Sequence, residues 1–172
     1  MTQETKQQIA ESLRDFHLPR YQEIPDVGLY LEQATKYIGG CLAPLGDMAL
    51  TSSMISNYVK KGLIASPVKK QYSRDQIAYL IFIAITKSVL SLDALATFLQ
   101  IQQQTYPLQK AYDYFVREFE SLLLFTFELT ETADMFPETS SDGKRLLYTC
   151  IIAAVQKVYL EKYLEALAEE NH

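Results

Sequence analysis

Apolar residues recur along this chain at helical spacing, and no convincing run of alternating polar and β-branched residues interrupts them. Ile9, Leu13 and Phe16 share one face of a predicted helix from Glu4 to Phe16, and Leu18 to Pro25 reads as irregular. A second helix spans Gly28 to Leu42, weakened near its end by Gly39-Gly40, before a turn at Pro44-Leu45-Gly46. From Leu50 to Leu63, Met54, Ile55, Tyr58 and Val59 form one stripe. Thr51 or Ser52 stands as its N-cap, and Gly62 stands where a helix ends in the left-handed conformation. Residues 64–72 contain Pro67 and suit a short extended hairpin. Ser73 and Gln76 then make a capping box for a helix to Val89 that is apolar nearly all round and should be the buried centre. Ser91 opens a helix to Gln103 with Leu92, Leu95, Ala96 and Leu99 inward. Pro107 starts a long helix to about Thr130, and a last helix runs from Lys144 to Glu169. The loop containing FPETSSDG between these two suggests an antiparallel hairpin. The fold class expected is all-α, apart from a short β-wing.

Three parts are expected: an N-terminal helical extension (1–25), a central unit (26–103) and a C-terminal helical hairpin (104–172). The polar stretch near 103–107 joins the last two. There is no internal repeat.

Composition sharpens this picture through charge. The chain has 172 residues and a formal net charge of −5, with 48% hydrophobic residues, enough for a packed core and against wholesale disorder. That charge is uneven. Residues 51–90 hold Lys60, Lys61, Lys69, Lys70, Arg74 and Lys87 against Asp75 alone, whereas both flanking segments are acidic. A basic segment therefore sits inside an acidic protein. The polar N-terminus lacks the apolar stretch of a signal peptide, and the longest apolar run, Ile77 to Ile85, falls well short of the roughly 20 residues that span a bilayer. A cytoplasmic, soluble protein without a membrane partner is expected. Cys41 and Cys150 read as small buried hydrophobes rather than a redox pair.

The order of elements between Leu50 and Leu99 resembles the MerR-like winged helix-turn-helix regulators. The residues that carry the resemblance are Tyr58…Gly62-Leu63-Ile64, then Lys70-Gln71-Tyr72-Ser73. Asp75-Gln76-Ile77…Leu80…Ile83 and Ser91-Leu92-Asp93-Ala94-Leu95 follow. The chain departs from that family at Ser56, where arginine is usual, at Val59, where an acid is frequent, and in a shorter wing without glycine. The rest of the chain is also similar to a group of uncharacterised bacterial helical proteins said to carry such a domain. The resemblance implies a winged helix-turn-helix at 26–103 and a homodimeric transcriptional regulator that binds double-stranded DNA.

Its recognition helix (about 51–61) would offer Thr51, Ser52, Ser53, Ser56, Asn57 and Tyr58. Hydroxyls and helix N-terminal N–H groups suit phosphate oxygens, and an asparagine suits adenine. Lys60 and Lys61, with Lys69, Lys70, Tyr72 and Arg74 around a wing at about 65–74, would reach flanking phosphates. A bland reading competes: the lysines as a solvated surface, and Tyr58 and Tyr72 as core and wing packing. A protein-interaction adaptor or a small-molecule sensor without DNA affinity is the alternative function.

On the first long C-terminal helix, Tyr112, Phe115 and Phe119 belong to a wide apolar stripe, and Leu124 and Phe125 widen it beyond the need of one partner helix. They suggest a dimer interface or an effector pocket. No spacing suits a metal ion, and no phosphate loop, nucleophile elbow or zinc-protease motif occurs, so neither a cofactor nor an enzymatic activity is expected. His17 and His172 stand far apart, and Glu118, Glu120, Glu128 and Glu131 read as a solvated acidic face.

Overall fold

The computed structural model describes residues 2–131 and 141–170. Among the described residues, seven α-helices, two short 3₁₀ turns and one two-stranded sheet make up the regular structure. His172 and most of the loop read as FPETSSDG lie outside the described residues.

Helix α1 (Gln3–Glu11) starts where the Thr2 hydroxyl accepts the Thr5 N–H at 3.1 Å. It ends five residues before the expected Phe16, because the chain turns so that Leu13 and Leu18 drop fully into the core. The next departure falls at residue 28. Leu29–Tyr30 is not helical; it forms strand β1, which pairs antiparallel with β2 (Gln71–Tyr72), Leu29 opposite Tyr72 and Tyr30 opposite Gln71. Helix α2 (Leu31–Leu42) follows at once, burying Ala34, Ile38 and Leu42. A 3₁₀ turn at Ala43–Leu45 and Gly46, at φ +98°, redirect the chain into α3 (Ser52–Lys60).

Helix α4 (Arg74–Thr86) is the centre of the molecule, as its continuous apolar sequence anticipates. Its buried Thr86 hydroxyl is satisfied by the Phe82 carbonyl at 2.7 Å. Helix α5 (Leu92–Thr105) is capped by Ser91 as expected and buries Leu95 and Leu99, but Ala96 faces solvent. Helix α6 (Leu108–Thr126) begins after Pro107 and stops four residues before the expected Thr130. There Glu128 takes a left-handed φ of +59°, and the Leu129 N–H closes on the Leu124 carbonyl at 2.9 Å.

Helix α7 (Asp142–Glu170) makes its most extensive contacts with α6. The two are not antiparallel. Lys144, near the start of α7, lies over the ring of Tyr114 near the start of α6, while Phe127, capping the end of α6, packs at a tilt against Tyr159 and Tyr163. Start meets start and end meets end, so the helices run parallel. The physical reason is the length of the connection. Residues 127–141 can reach ~50 Å when extended, whereas α6 is only ~28 Å long. The rule that joins neighbouring helices antiparallel holds for short turns. Leu164 on α7 is 62% exposed.

One hydrophobic cluster runs through the chain, from Leu13 through α2, α3 and α4 to Val158 on α7. Glu120 (13% exposed side chain) fastens the N-terminal segment to α6, accepting the Leu18 N–H and an Arg20 Nη2 bond, each at 2.7 Å. No helix among the described residues is long and apolar enough to cross a membrane.

Candidate functional site

The basic segment folds as α3 followed by a tight hairpin that leads back to β2. Thr51 caps α3, its Oγ1 accepting the Met54 N–H at 3.1 Å, which engages one acceptor site of that hydroxyl. Ile55 and Tyr58 anchor the helix to the core. At its far end Gly62, at φ +74°, turns the chain, and the Leu63 N–H returns to the Tyr58 carbonyl at 2.9 Å while Leu63 and Ile64 bury. Ser53, Ser56, Lys60 and Lys61 are left exposed on α3, with Ser52 and Asn57 half-buried.

The hairpin closes through Val68 and Gln71, the Gln71 N–H donating to the Val68 carbonyl at 2.9 Å. Its two turn residues are Lys69 (φ +50°) and Lys70 (φ +64°). Consecutive positive φ angles are the signature of a mirror-image hairpin turn, which favours Asn-Gly because a Cβ in the left-handed region costs ~1–2 kcal/mol per residue. The turn thus holds two lysines where other residues would be more stable. The hairpin is tied down on both sides: Gln76 Nε2 donates to the Ala65 carbonyl at 2.7 Å, and β2 pairs with β1.

Among the described residues, none of Lys60, Lys61, Lys69 and Lys70 forms an ion pair, and all four are exposed. Three other residues expected at a DNA surface are withdrawn from it. Tyr58 and Tyr72 are each only 4% exposed, packed in the core. Arg74 is taken up within the fold: its Nε donates to the Ile24 carbonyl at 2.9 Å, its Nη1 to Gln22 at 3.1 Å, and its guanidinium lies over the Tyr21 ring. The Tyr21 hydroxyl in turn donates to Asp75, which pushes the Tyr21 pKa up to about 12. Arginine at this position therefore braces residues 21–26 against α4 rather than offering charge outward.

The aromatic residues of α6 also divide. Phe119 is fully buried and Tyr112 and Phe115 nearly so, with the Tyr112 hydroxyl donating to the Pro19 carbonyl at 3.0 Å, so none of these three can form a dimer surface. Phe125 is 42% exposed and Leu124 half-buried. Tyr112 and Phe115 do border a cavity, together with Tyr79, Phe82 and Phe98, which sequence reasoning missed. Helical periodicity reports which face is apolar, and says nothing of whether facing walls touch.

Cys41 and Cys150 are free thiols, Cys150 buried and held protonated by that burial, its pKa pushed up to about 11. No group of three or more His, Cys, Asp or Glu among the described residues is placed to hold a metal ion.

A family model described as a domain of unknown function, DUF1836, matches residues 19–115. It covers the whole stretch on which the MerR-like resemblance rested, and no MerR-type or helix-turn-helix family matches, so that resemblance is corrected. The physical basis of the error is local: helix caps and a closing glycine define helix ends in any fold, and here residues 43–51 separate α2 from α3, far more than the usual 3–4-residue turn of such motifs. No curated protein and no solved structure matches the chain.

Proposed function

The chain belongs to the DUF1836 family, and we propose that it acts as a DNA-binding transcriptional regulator, working as a homodimer. The observation that carries this reading is the set of four exposed, unpaired lysines on α3 and the hairpin, two of them at strained backbone positions, in a protein that is otherwise acidic. Backbone strain is retained where function needs it. Helix α3 and the hairpin that follows it together form the contact surface. Helix α3 enters the major groove, where Ser52, Ser53 and Ser56 give hydroxyls to phosphates and Asn57 reads a base edge. Lys60 and Lys61 at one end, and Lys69 and Lys70 at the hairpin tip, neutralise flanking phosphates. The acidic C-terminal helices turn away from the duplex, so the charge distribution orients the protein on approach.

Pairing is supported by a different surface. Phe125 and Gln156 border the same shallow depression, and Leu160 and Leu164 follow Gln156 along α7 at four-residue steps, exposed at 58% and 62%. An apolar strip of this kind suits a second copy of the chain, and two half-sites multiply affinity.

The test is fluorescence anisotropy of a labelled random-sequence duplex at low salt, with wild type beside a variant carrying Lys→Glu at positions 60, 61, 69 and 70. Wild type is expected to bind and the charge-reversed variant to lose binding while keeping its helical circular dichroism. A wild type that does not bind at low ionic strength would overturn the reading.

A further inference from the structure

Helices α4, α5, α6 and the first two turns of α7 meet only in part. Between them lies a cavity of about 440 Å³, within the range of small-molecule sites. Its walls are aromatic. Phe82 packs edge-on to Phe115 with ring centroids 5.0 Å apart and lies 5.5 Å from Phe98, so the wall is held rigid by ring contacts. Surfaces of this kind give water few partners, and an apolar body gains by replacing it. The exposed apolar residues Ile101, Tyr106 and Leu146 gather at the same cavity. Apolar exposure concentrated at an opening marks a site of entry or binding.

The charges on the lining are one-sided. Lys110, Arg117 and Lys144 face Asp113 alone, and the Asp113 carboxylate already accepts the Tyr21 N–H at 2.8 Å. Arg117 and Lys144 converge on a single ring, their cationic centres 5.3 and 5.7 Å from the centroid of Tyr114. Arg117 has Glu118 at 3.3 Å, but Lys110 and Lys144 enter no ion pair among the described residues. Glu118 offsets Arg117, whereas Lys144 has no ion-pair partner among the described residues, so an anion beside the Tyr114 ring gains most from Lys144. We propose that this cavity binds a small amphiphilic carboxylate, its aromatic or aliphatic body against Phe82, Phe98 and Phe115 and its carboxylate between Lys144 and Arg117. Because its walls come from helices on both sides of residues 103–107, occupancy ties α4 and α5 to α6 and α7.

Binding is tested on the full chain with 8-anilinonaphthalene-1-sulfonate and its uncharged analogue N-phenyl-1-naphthylamine. Both are expected to bind saturably, one per chain. Lys144→Glu should weaken the sulfonate by about tenfold while leaving the uncharged probe alone, and Ala111→Phe, which narrows the cavity, should weaken both. Decanoate and 3-phenylpropionate should displace the sulfonate where decanol and 3-phenylpropanol do not. At a hundred-fold excess over Kd, the displacing acid should raise Tm by roughly 5–10 °C. If Ala111→Phe fails to fold, the Lys144→Glu comparison still decides, since that side chain is partly exposed. Absent saturable binding, an equal response of the two probes to Lys144→Glu, or one probe per two chains would overturn the proposal, the last by assigning the cavity to a second copy.

Discussion

Gly28 lies so close to Gln71 that a methyl group on its α-carbon would stand 2.6 Å from the Gln71 Cβ, a distance real side chains do not tolerate. The contact sits beside the pairing of Leu29 with Tyr72, so it sets how the hairpin returns to the strand before α2. Gly28→Ala must push the two strands apart, because a Cβ cannot swing away as the end of a flexible side chain can. The expected cost is about 1–3 kcal/mol, lowering Tm by roughly 2–4 °C for each of those kcal/mol in a chain of this size. Calorimetry showing an unchanged Tm would mean that the strands do not approach so closely.

Lys69 and Lys70 invite the opposite experiment. Asn and Gly accept the left-handed region that lysine resists, so Lys69→Asn with Lys70→Gly should stabilise the protein by ~1–2 kcal/mol. The same pair should bind DNA more weakly and make the salt dependence shallower by about 1.8 in log–log slope, because two phosphates are no longer neutralised. Greater stability with unchanged DNA affinity would remove the lysines from the interface.

A third expectation concerns alkaline pH. The hydrogen bond to Asp75 holds Tyr21 protonated up to about 12, burial does the same for Tyr37, and burial pushes Tyr112 higher still. Unfolded tyrosine ionises near 10, so above that value the folded state retains protons that the unfolded state has lost. Stability should be full below pH 10 and fall as pH rises from about 10 through 12. Urea midpoints at pH 9 and pH 11, with tyrosinate absorbance as a second readout, check this. Tyr21→Phe should flatten the decline, and an identical decline in that variant would show that Tyr21 contributes nothing to it.

The Glu120 carboxylate holds the N-terminal segment by two bonds, one to a backbone N–H. Glu120→Ala leaves the Leu18 N–H and the Arg20 guanidinium without it, at an expected cost of about 2–3 kcal/mol. A urea midpoint within error of wild type would show that water replaces both bonds.

If Phe125, Leu160 and Leu164 form the pairing surface, Leu160→Glu with Leu164→Glu should convert the protein to a monomer of 19.7 kDa by light scattering, with its helical content intact. A wild type that is already monomeric at micromolar concentration would dispose of the pairing proposal.

Much of the helix layout was legible because it is local chemistry. Thr51, Ser73 with Gln76, and Ser91 are all caps in the structure, Gly62 takes its left-handed turn, and α4 is buried all round. Strand β1 was not legible. Two residues pair only because β2 returns to them from some 40 positions away, and nothing within Gly28 to Leu42 announces it. The parallel course of α6 and α7 was hidden for a related reason, since an apolar stripe is the same whichever way its partner runs. Of the candidate site, the exposed lysines and serines could be read from polarity, whereas the inward turn of Tyr58 and Tyr72 and the capture of Arg74 by Ile24 and Gln22 depend on tertiary neighbours.

Equilibrium binding to a labelled duplex, repeated across salt concentrations, tests the DNA reading at its foundation. Four lysines on phosphates should give a log–log slope near −3.6 per chain, about twice that for a pair of chains on two half-sites, and the slope should collapse when all four are reversed to glutamate. A slope near zero, or one that the four reversals leave unchanged, would contradict the assignment of α3 and the hairpin as a nucleic-acid surface.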